Sequence, residues 1–303
     1  MTKKIISVFS GVGLITAACI WGFAFVIVKD SLDYVPAIYM LAFRFSIATV
    51  ALAGIYAKKL QELTVDYWKH GAVLGLCLFL AYAFQTIGCN YTTAGKNAFL
   101  TTIYVFLVPL LGWQLKKHRP EWYIFVAAFL SLVGIGLLSL TKGSNGVFSV
   151  NFGDILTLIC GFLYAVHILL NEKYDEFQNP VLLTVLQFFF AALLSWIAAP
   201  FMNGSFPVDA VKNSRVIFSM AYLGIFSTMI AYVLQNVCLK YTDSSLASLF
   251  LSLESVFGML FSVVFLKESL TPRMFFGCVL IFFAIMLAET KFDFLKAFCR
   301  HRP

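Results

Sequence analysis

The sequence predicts an all-α polytopic membrane protein: ten transmembrane helices built as two inverted five-helix repeats. Three observations predict it. Of 303 residues, 61% are hydrophobic and only 12% are charged, against roughly 25% charged in an ordinary soluble domain. The charge is gathered in short joints between long charge-free runs, as in a chain that crosses a bilayer repeatedly. Finally, "AYAFQTIGCNYT" (81–92) and "AYVLQNVCLKYT" (231–242), 150 residues apart, share Ala, Tyr, Gln, Tyr and Thr at matched places.

A helix crossing ~30 Å of hydrocarbon needs about 20 apolar residues. Ten runs qualify, at about 5–28, 35–57, 70–90, 95–115, 121–140, 154–171, 180–201, 215–239, 243–266 and 272–290. The first follows Lys3 and Lys4 and passes "TAAC" at Cys19, which resembles a lipoprotein cleavage site. It continues through "IWGFAFVIV" instead of turning polar, so it is a span and not a cleaved signal. Pro36 and Pro180 precede the second and seventh spans. The joint "TKGSNGVFSVNFGD" between the fifth and sixth spans is the only natural linker. It divides the chain into a first repeat (1–141), a loop (142–153), a second repeat (154–290) and a basic tail (291–303). The tenth span, bounded by Arg273 and Glu289, is the shortest and leans on snorkelling ends. Barrel strands would alternate apolar and polar residues, which these runs do not.

Loop charge sets the orientation. With the N-terminus in the cytoplasm, fourteen of the 22 Lys and Arg fall inside, which favours a plasma-membrane protein with both termini cytoplasmic. The net charge of +7 therefore reads as a topology signal and not as a nucleic-acid surface. The seven cysteines include no Cys-x-x-Cys pair and read as small buried side chains, so neither a metal nor a cofactor is expected.

The repeat extends beyond the opening match. At the same offset Leu110 falls on Leu260, Lys117 on Lys267 and Phe125 on Phe275, and "CIWGFAFVI" aligns with "CGFLYAVHI" at a smaller offset. A five-span unit has an odd number of crossings, so its second copy is inverted. Inverted repeats are a recurring basis of transporters, because oppositely oriented halves offer equivalent inward- and outward-open states around one midplane site.

"WGFAF" in span one, "FRFSIA" in span two, "YTTAGKNAFLTTIYVFLVPLL" into span four and "YTDSSLASLFLSLESVFGMLFSVVFLKESL" across span nine resemble the EamA-like transporters of the drug/metabolite transporter superfamily. The resemblance covers essentially the whole chain. It departs at Ser255, where such proteins usually carry Pro after the glutamate matching Glu254, so the local kink there is in question. It implies a cavity between the halves, lined by spans one to four and six to nine, with spans five and ten peripheral. It also implies a small-molecule substrate such as an amino acid, sugar, nucleotide-linked metabolite or drug, often moved outward.

An ionisable group at mid-bilayer costs about 2.5–3.5 kcal/mol on insertion scales, so each marks a functional candidate. Arg44, deep in span two, offers forked donors to a carboxylate or phosphate, or ties helix ends together. Glu254 stands in span nine at the position matching Tyr104 in span four, as proton carrier or hydrogen-bond acceptor. Lys96 opens span four, where a cation opposes the helix dipole, so an anionic group is expected nearby, a substrate carboxylate included. His167 is the one histidine within a span, a proton relay or a packing residue. Gln85 and Gln235 are repeat partners, cavity-lining or helix glue at about 0.6 kcal/mol per bond. Trp21, Tyr82, Tyr104 and Tyr232 shape an apolar pocket, and Pro109 bends span four.

Together these residues suit a zwitterionic or anionic metabolite such as an amino acid, exported by alternating access, with a proton as a possible coupled ion. The sequence has no nucleotide-binding G-x-x-x-x-G-K-[ST], so ATP is not the direct driver. The alternative is a proton-coupled multidrug exporter exchanging at Glu254. A membrane-embedded enzyme would need paired acids, H-E-x-x-H or a nucleophile with its base, and none is present. Gly71-x-x-x-Gly75 permits close helix contact, but the sequence fixes no oligomeric state.

Overall fold

Every apolar run of the sequence becomes helix, because a backbone in hydrocarbon must satisfy its own hydrogen bonds. The computed structural model describes residues 3–116, 119–139, 151–265 and 271–290. Most of the inter-repeat loop, the basic tail, the Lys117/Lys267 pair, His118, His301 and Cys299 lie outside them. The first repeat comprises α1 (Lys3–Ser31), α2 (Ala37–Ile55), α3 (Val65–Tyr91), α4 (Ala94–Thr101), α5 (Tyr104–Lys116) and α6 (Trp122–Ser139). The second comprises α7 (Phe152–Asp175), α8 (Pro180–Asn203), α9 (Val208–Lys212), α10 (Ser214–Ala221), α11 (Ala231–Leu239), α12 (Ser244–Leu251), α13 (Glu254–Phe265) and α14 (Pro272–Thr290). Among the described residues, eight helical stretches are long and apolar enough to cross a membrane, and Trp122–Leu137 and Phe275–Ala288 are shorter apolar helices in the places of spans five and ten.

Contacts at the two ends of the bundle establish the inversion. At the far face, where α1 ends, Asp30 meets Arg215, the Ile38 amide donates to Asn203, and Tyr91 packs on Phe152. At the near face, where α1 begins, the Asn179 amide donates to Tyr67 and His70 pairs with Gln178. Helix α7 therefore starts at the face where α1 ends, and runs against it.

Packing follows the same logic. α2 lies along α8, α3 along α7 and α8, and α1 along α11 to α13, while α6 and α14 pack mainly on each other at the periphery. Gly71 and Gly75 serve a contact within the chain: a Cβ on Gly75 would meet Phe190 Cβ at 2.5 Å, and one on Gly71 would meet Leu186 Cβ at 2.4 Å. The same closeness recurs where α3 crosses α7, with Gly88 against the Gly153 carbonyl. Several hydroxyls bond to carbonyls of their own helices, as in Thr49 to Phe45 O, Thr184 to Pro180 O and Ser195 to Ala191 O. Six cysteines are free and at least partly buried.

The kink expectation needs correction. Spans four and nine are both broken, at Thr102–Ile103 and Ser252–Leu253, again 150 residues apart. Proline is not the cause in either case. Pro109 lies well inside α5, and Ser255 replaces the proline of the second half. The backbone instead tightens to i→i+3 bonds at both breaks, Ile103 N to Leu100 O and Leu253 N to Phe250 O. Hydroxyls then occupy the nearby carbonyls: Thr102 Oγ1 donates to Ala98 O, and Ser252 Oγ to Leu249 O.

Candidate functional site

The two helix breaks, the first helix of each repeat and span eight surround one cavity. Its wall includes Trp21 and Phe25 of α1, Arg44 of α2, Tyr82 and Gln85 of α3, and Asn97, Thr101 and Tyr104 at the first break. The second half adds Tyr164 and Ile168 of α7, Ser227, Tyr232 and Gln235 of span eight, and Leu251 and Glu254 at the second break. Helix α8 was expected in the wall but stands behind it, with Phe188 packed on Phe45 and Tyr232. No wall residue comes from α6 or α14.

Arg44 is 1% exposed. Its Nε donates to Thr228 Oγ1 at 2.9 Å, its Nη2 donates to Ser227 Oγ at 3.0 Å and to the Tyr82 hydroxyl at 3.4 Å, and its guanidinium lies 4.4 Å from the Tyr82 ring centre. Both hydroxyls belong to a stretch of span eight that widens into a π-helix over Tyr222–Ile230. Within it Thr228 Oγ1 donates to Leu223 O, five residues back, and the Ser227 carbonyl accepts from Trp21 Nε1 at 2.8 Å. Such wide turns recur at functional sites. No carboxylate of the described residues forms an ion pair with Arg44. A charge held by hydroxyls alone keeps its positive field in the cavity.

Glu254 opens α13, and Tyr104 opens α5. The sequence identifies them as repeat partners, and they touch: the Tyr104 hydroxyl donates to Glu254 Oε1 at 3.0 Å. Thr102 Oγ1 lies 3.3 Å from the same oxygen and 2.8 Å from Ser255 Oγ. One hydroxyl has one hydrogen, and Ala98 O competes for it, which leaves Tyr104 as the dedicated donor. Ser255 in the proline's place thus supplies a hydroxyl to the break. Glu254 Oε2 has no hydrogen-bond partner among the described residues, so wall residues of opposite charge, Arg44 and Glu254, share one cavity without pairing.

Gln85 and Gln235 both line the cavity. Gln85 Nε2 donates to Thr101 Oγ1 at 3.1 Å, and its carbonyl oxygen accepts from Tyr164 at 3.4 Å. Gln235 donates to Asn236, which donates to Thr184 on α8. His167 is fully buried behind the wall: its Nε2 meets Gln187 Oε1 at 2.7 Å, Asn171 approaches its ring, and its ring packs on Tyr232.

Lys96 is displaced from the expected site. Its Nζ pairs with Asp154 Oδ2 at 2.5 Å, outside the cavity wall. The anion demanded by a cation at the α4 N-terminus comes from the other half of the chain. Asp154 also closes a capping box with Asn151 at the start of α7 and accepts from Thr92 at 3.1 Å. Lys96→Ala is therefore expected to lower the unfolding temperature while weakening an anionic ligand and its neutral analogue equally, as measured by ligand-dependent thermal shifts. A selective loss of the anion would return Lys96 to the binding site.

Reading by residue type missed Asn97, Thr101, Tyr164 and Ser227. Asn97 donates to Gln85 O and to Thr157 Oγ1 at 3.0 Å each. The available signal was spacing: Asn97 and Thr101 lie four apart, on the helix face that carries the break.

The profile of the EamA-like transporter family matches residues 9–140 and 151–290. A protein of Archaeoglobus fulgidus, described as an uncharacterized transporter, is 35% identical over 283 residues, covering 93% of this chain and 86% of that protein. An Escherichia coli protein named "Probable amino-acid metabolite efflux pump" is 24% identical over 286 residues, covering 89% of this chain and 91% of that protein. One crystal structure superposes with a TM-score of 0.75 at 17% identity, covering 92% of this chain and 96% of that one, a likeness of fold alone.

Proposed function

The chain belongs to the EamA-like transporter family, a family of membrane transporters and not of enzymes, and on that premise we propose that it exports a zwitterionic amino acid or close metabolite by alternating access. The observation that carries the reading is the pair of unpaired opposite charges in one cavity. An α-carboxylate would take the Nη1 donors of Arg44, since Nε and Nη2 are engaged by Thr228, Ser227 and Tyr82. An α-ammonium would take Glu254 Oε2. Trp21, Tyr82, Tyr164 and Tyr232 would hold an apolar side chain. A cationic drug suits this wall less well, because Arg44 has no carboxylate of its own to neutralise it.

Outward transport takes support from the name of the Escherichia coli relative. The loop charges support a plasma-membrane location with both termini cytoplasmic, which makes the near face the inner one. Glu254 is the better candidate for a coupled proton, since it meets the cavity and His167 does not. The test is counterflow in proteoliposomes: preloaded unlabelled amino acid should accelerate entry of the labelled compound, saturably. A linear, unsaturable flux would make the protein a channel, and absence of flux for any amino acid would end the substrate assignment.

A further inference from the structure

At the far face a lysine ties the end of α1 to the end of α3. Lys29 lies in the last turn of α1, and its Nζ donates to Cys89 O at 2.7 Å and Thr92 O at 3.0 Å. These carbonyls belong to the end of α3 and its cap, where the chain turns into α4. A cation there satisfies carbonyls that no helical amide can reach.

The repeat supplies a second lysine in the same position. Lys29 stands seven residues before Pro36, and Lys173 seven before Pro180. The helix ends agree at this offset of 144, since α1 ends at Ser31 and α7 at Asp175, and Lys173 is the basic residue of the last turn of α7. The accepting carbonyls map by the offset of 150 onto Leu239, the last residue of α11, and Thr242, just before α12. At the near face this contact is not made. Lys173 is exposed and has no partner among the described residues. With Leu239 and Thr242 it lines an open cavity, which Glu172, Glu176, Lys240 and Asp243 also line. A different bond joins this end of α7 to the start of α12, the Ser244 amide donating to Glu172 Oε1 at 3.1 Å. Between α1, α4 and α13, toward the far face, the gap is far smaller.

We propose that Lys29 and Lys173 are the paired latches of the transport cycle, each donating to the carbonyls of its own half-repeat turn only while its face is closed. The structure has the far latch engaged and the near latch released. Closing the near face brings Lys173 Nζ onto Leu239 O and Thr242 O, and releases Lys29 from Cys89 O and Thr92 O. This rests on the alternating-access reading given above and adds to it the groups that hold each end state. Both lysines act on the helix ends and touch no substrate, so they are positioning residues.

The test is hydrogen–deuterium exchange on the purified full-length protein in nanodiscs, without substrate. Methionine keeps the lysine stem and removes its charge. Lys29→Met should raise exchange at residues 89–96 and lower it at 239–246, by about tenfold each, the shift that losing one charged contact gives a two-state equilibrium. Lys29→Arg should restore both. Lys173→Met should leave the resting pattern unchanged but, when combined with Lys29→Met, should remove the protection gained at 239–246. Faster exchange at 89–96 alone, or at both faces, would make Lys29 a static cap and overturn the proposal. Arg215→Glu, which opposes Asp30 at the far face and touches neither latch, separates the two readings. If it moves the faces in opposite senses and Lys29→Met does not, alternation stands and the latch falls. If neither variant does so, both fall.

Discussion

Arg44→Lys is expected to abolish amino-acid transport, by about 100-fold or more, in a protein that still folds. The guanidinium performs three tasks at once: it donates to Thr228 and to Ser227, and it lies over the Tyr82 ring. A lysine ammonium can keep the positive charge and one or two of those bonds. It cannot keep the planar fork that leaves donors free for a carboxylate, and the exchange is not conservative at a stacked, multiply bonded site. Two lost charged hydrogen bonds to ligand, at about 1.5–3 kcal/mol each, account for a loss of that size. The check is proteoliposome flux beside the unfolding temperature of the same preparation. If Arg44 only ties α2 to span eight, flux and stability will fall in proportion, and Arg44→Lys will transport at the rate its remaining folded fraction allows.

Glu254→Gln is expected to change selectivity with little change in fold. The amide oxygen still accepts from Tyr104, so the bond between the two broken helices survives. What disappears is the negative charge that an ammonium would meet. Affinity for a zwitterion should fall by about 10- to 100-fold, the cost of one charged hydrogen bond, while the same ligand without its amino group should bind as well as before. If Glu254 also carries the coupled proton, wild-type flux responds to a pH gradient and the variant's does not. His167, held by Gln187 and Asn171 behind Tyr232, should tolerate substitution without losing that response. Persistence of pH-driven flux in Glu254→Gln would remove the carboxylate from the coupling path.

The repeat was legible through its constant offset, anchored where the two copies kept the same residue, as at Gln85 and Gln235. The offset of 150 relates Gln85 to Gln235 and Tyr104 to Glu254, and all four sit in one cavity wall. Both helix breaks obey the same offset although only their neighbourhoods, not their residues, match. Less legible was anything fixed by the opposite half. Lys96 carries an evident conflict with its helix dipole, yet its counter-charge, Asp154, is 58 residues away in the other repeat and is itself committed to capping α7. Sequence periodicity within one helix cannot name such a partner. The π-helix was invisible for a related reason. "YLGIFSTMI" has no proline, and within it Thr228 bonds five residues back while Arg44 engages it from α2. Pro109 shows the opposite error, in which a residue with a strong local preference draws attention from plainer hydroxyls such as Thr102, Ser252 and Ser255 near the breaks.

One binding measurement bears most directly on the central claim that Arg44 and Glu254 jointly read a zwitterion. Thermal shifts on purified protein would first identify the tightest-binding amino acid, and calorimetry would then compare it with its des-amino acid and its decarboxylated amine. Each truncated form should bind at least about tenfold more weakly than the parent, one charged contact having been lost. The penalty for removing the amine should vanish in Glu254→Gln, and the penalty for removing the carboxylate should vanish in Arg44→Lys. Equal binding of all three compounds, or penalties that persist unchanged in both variants, would contradict it.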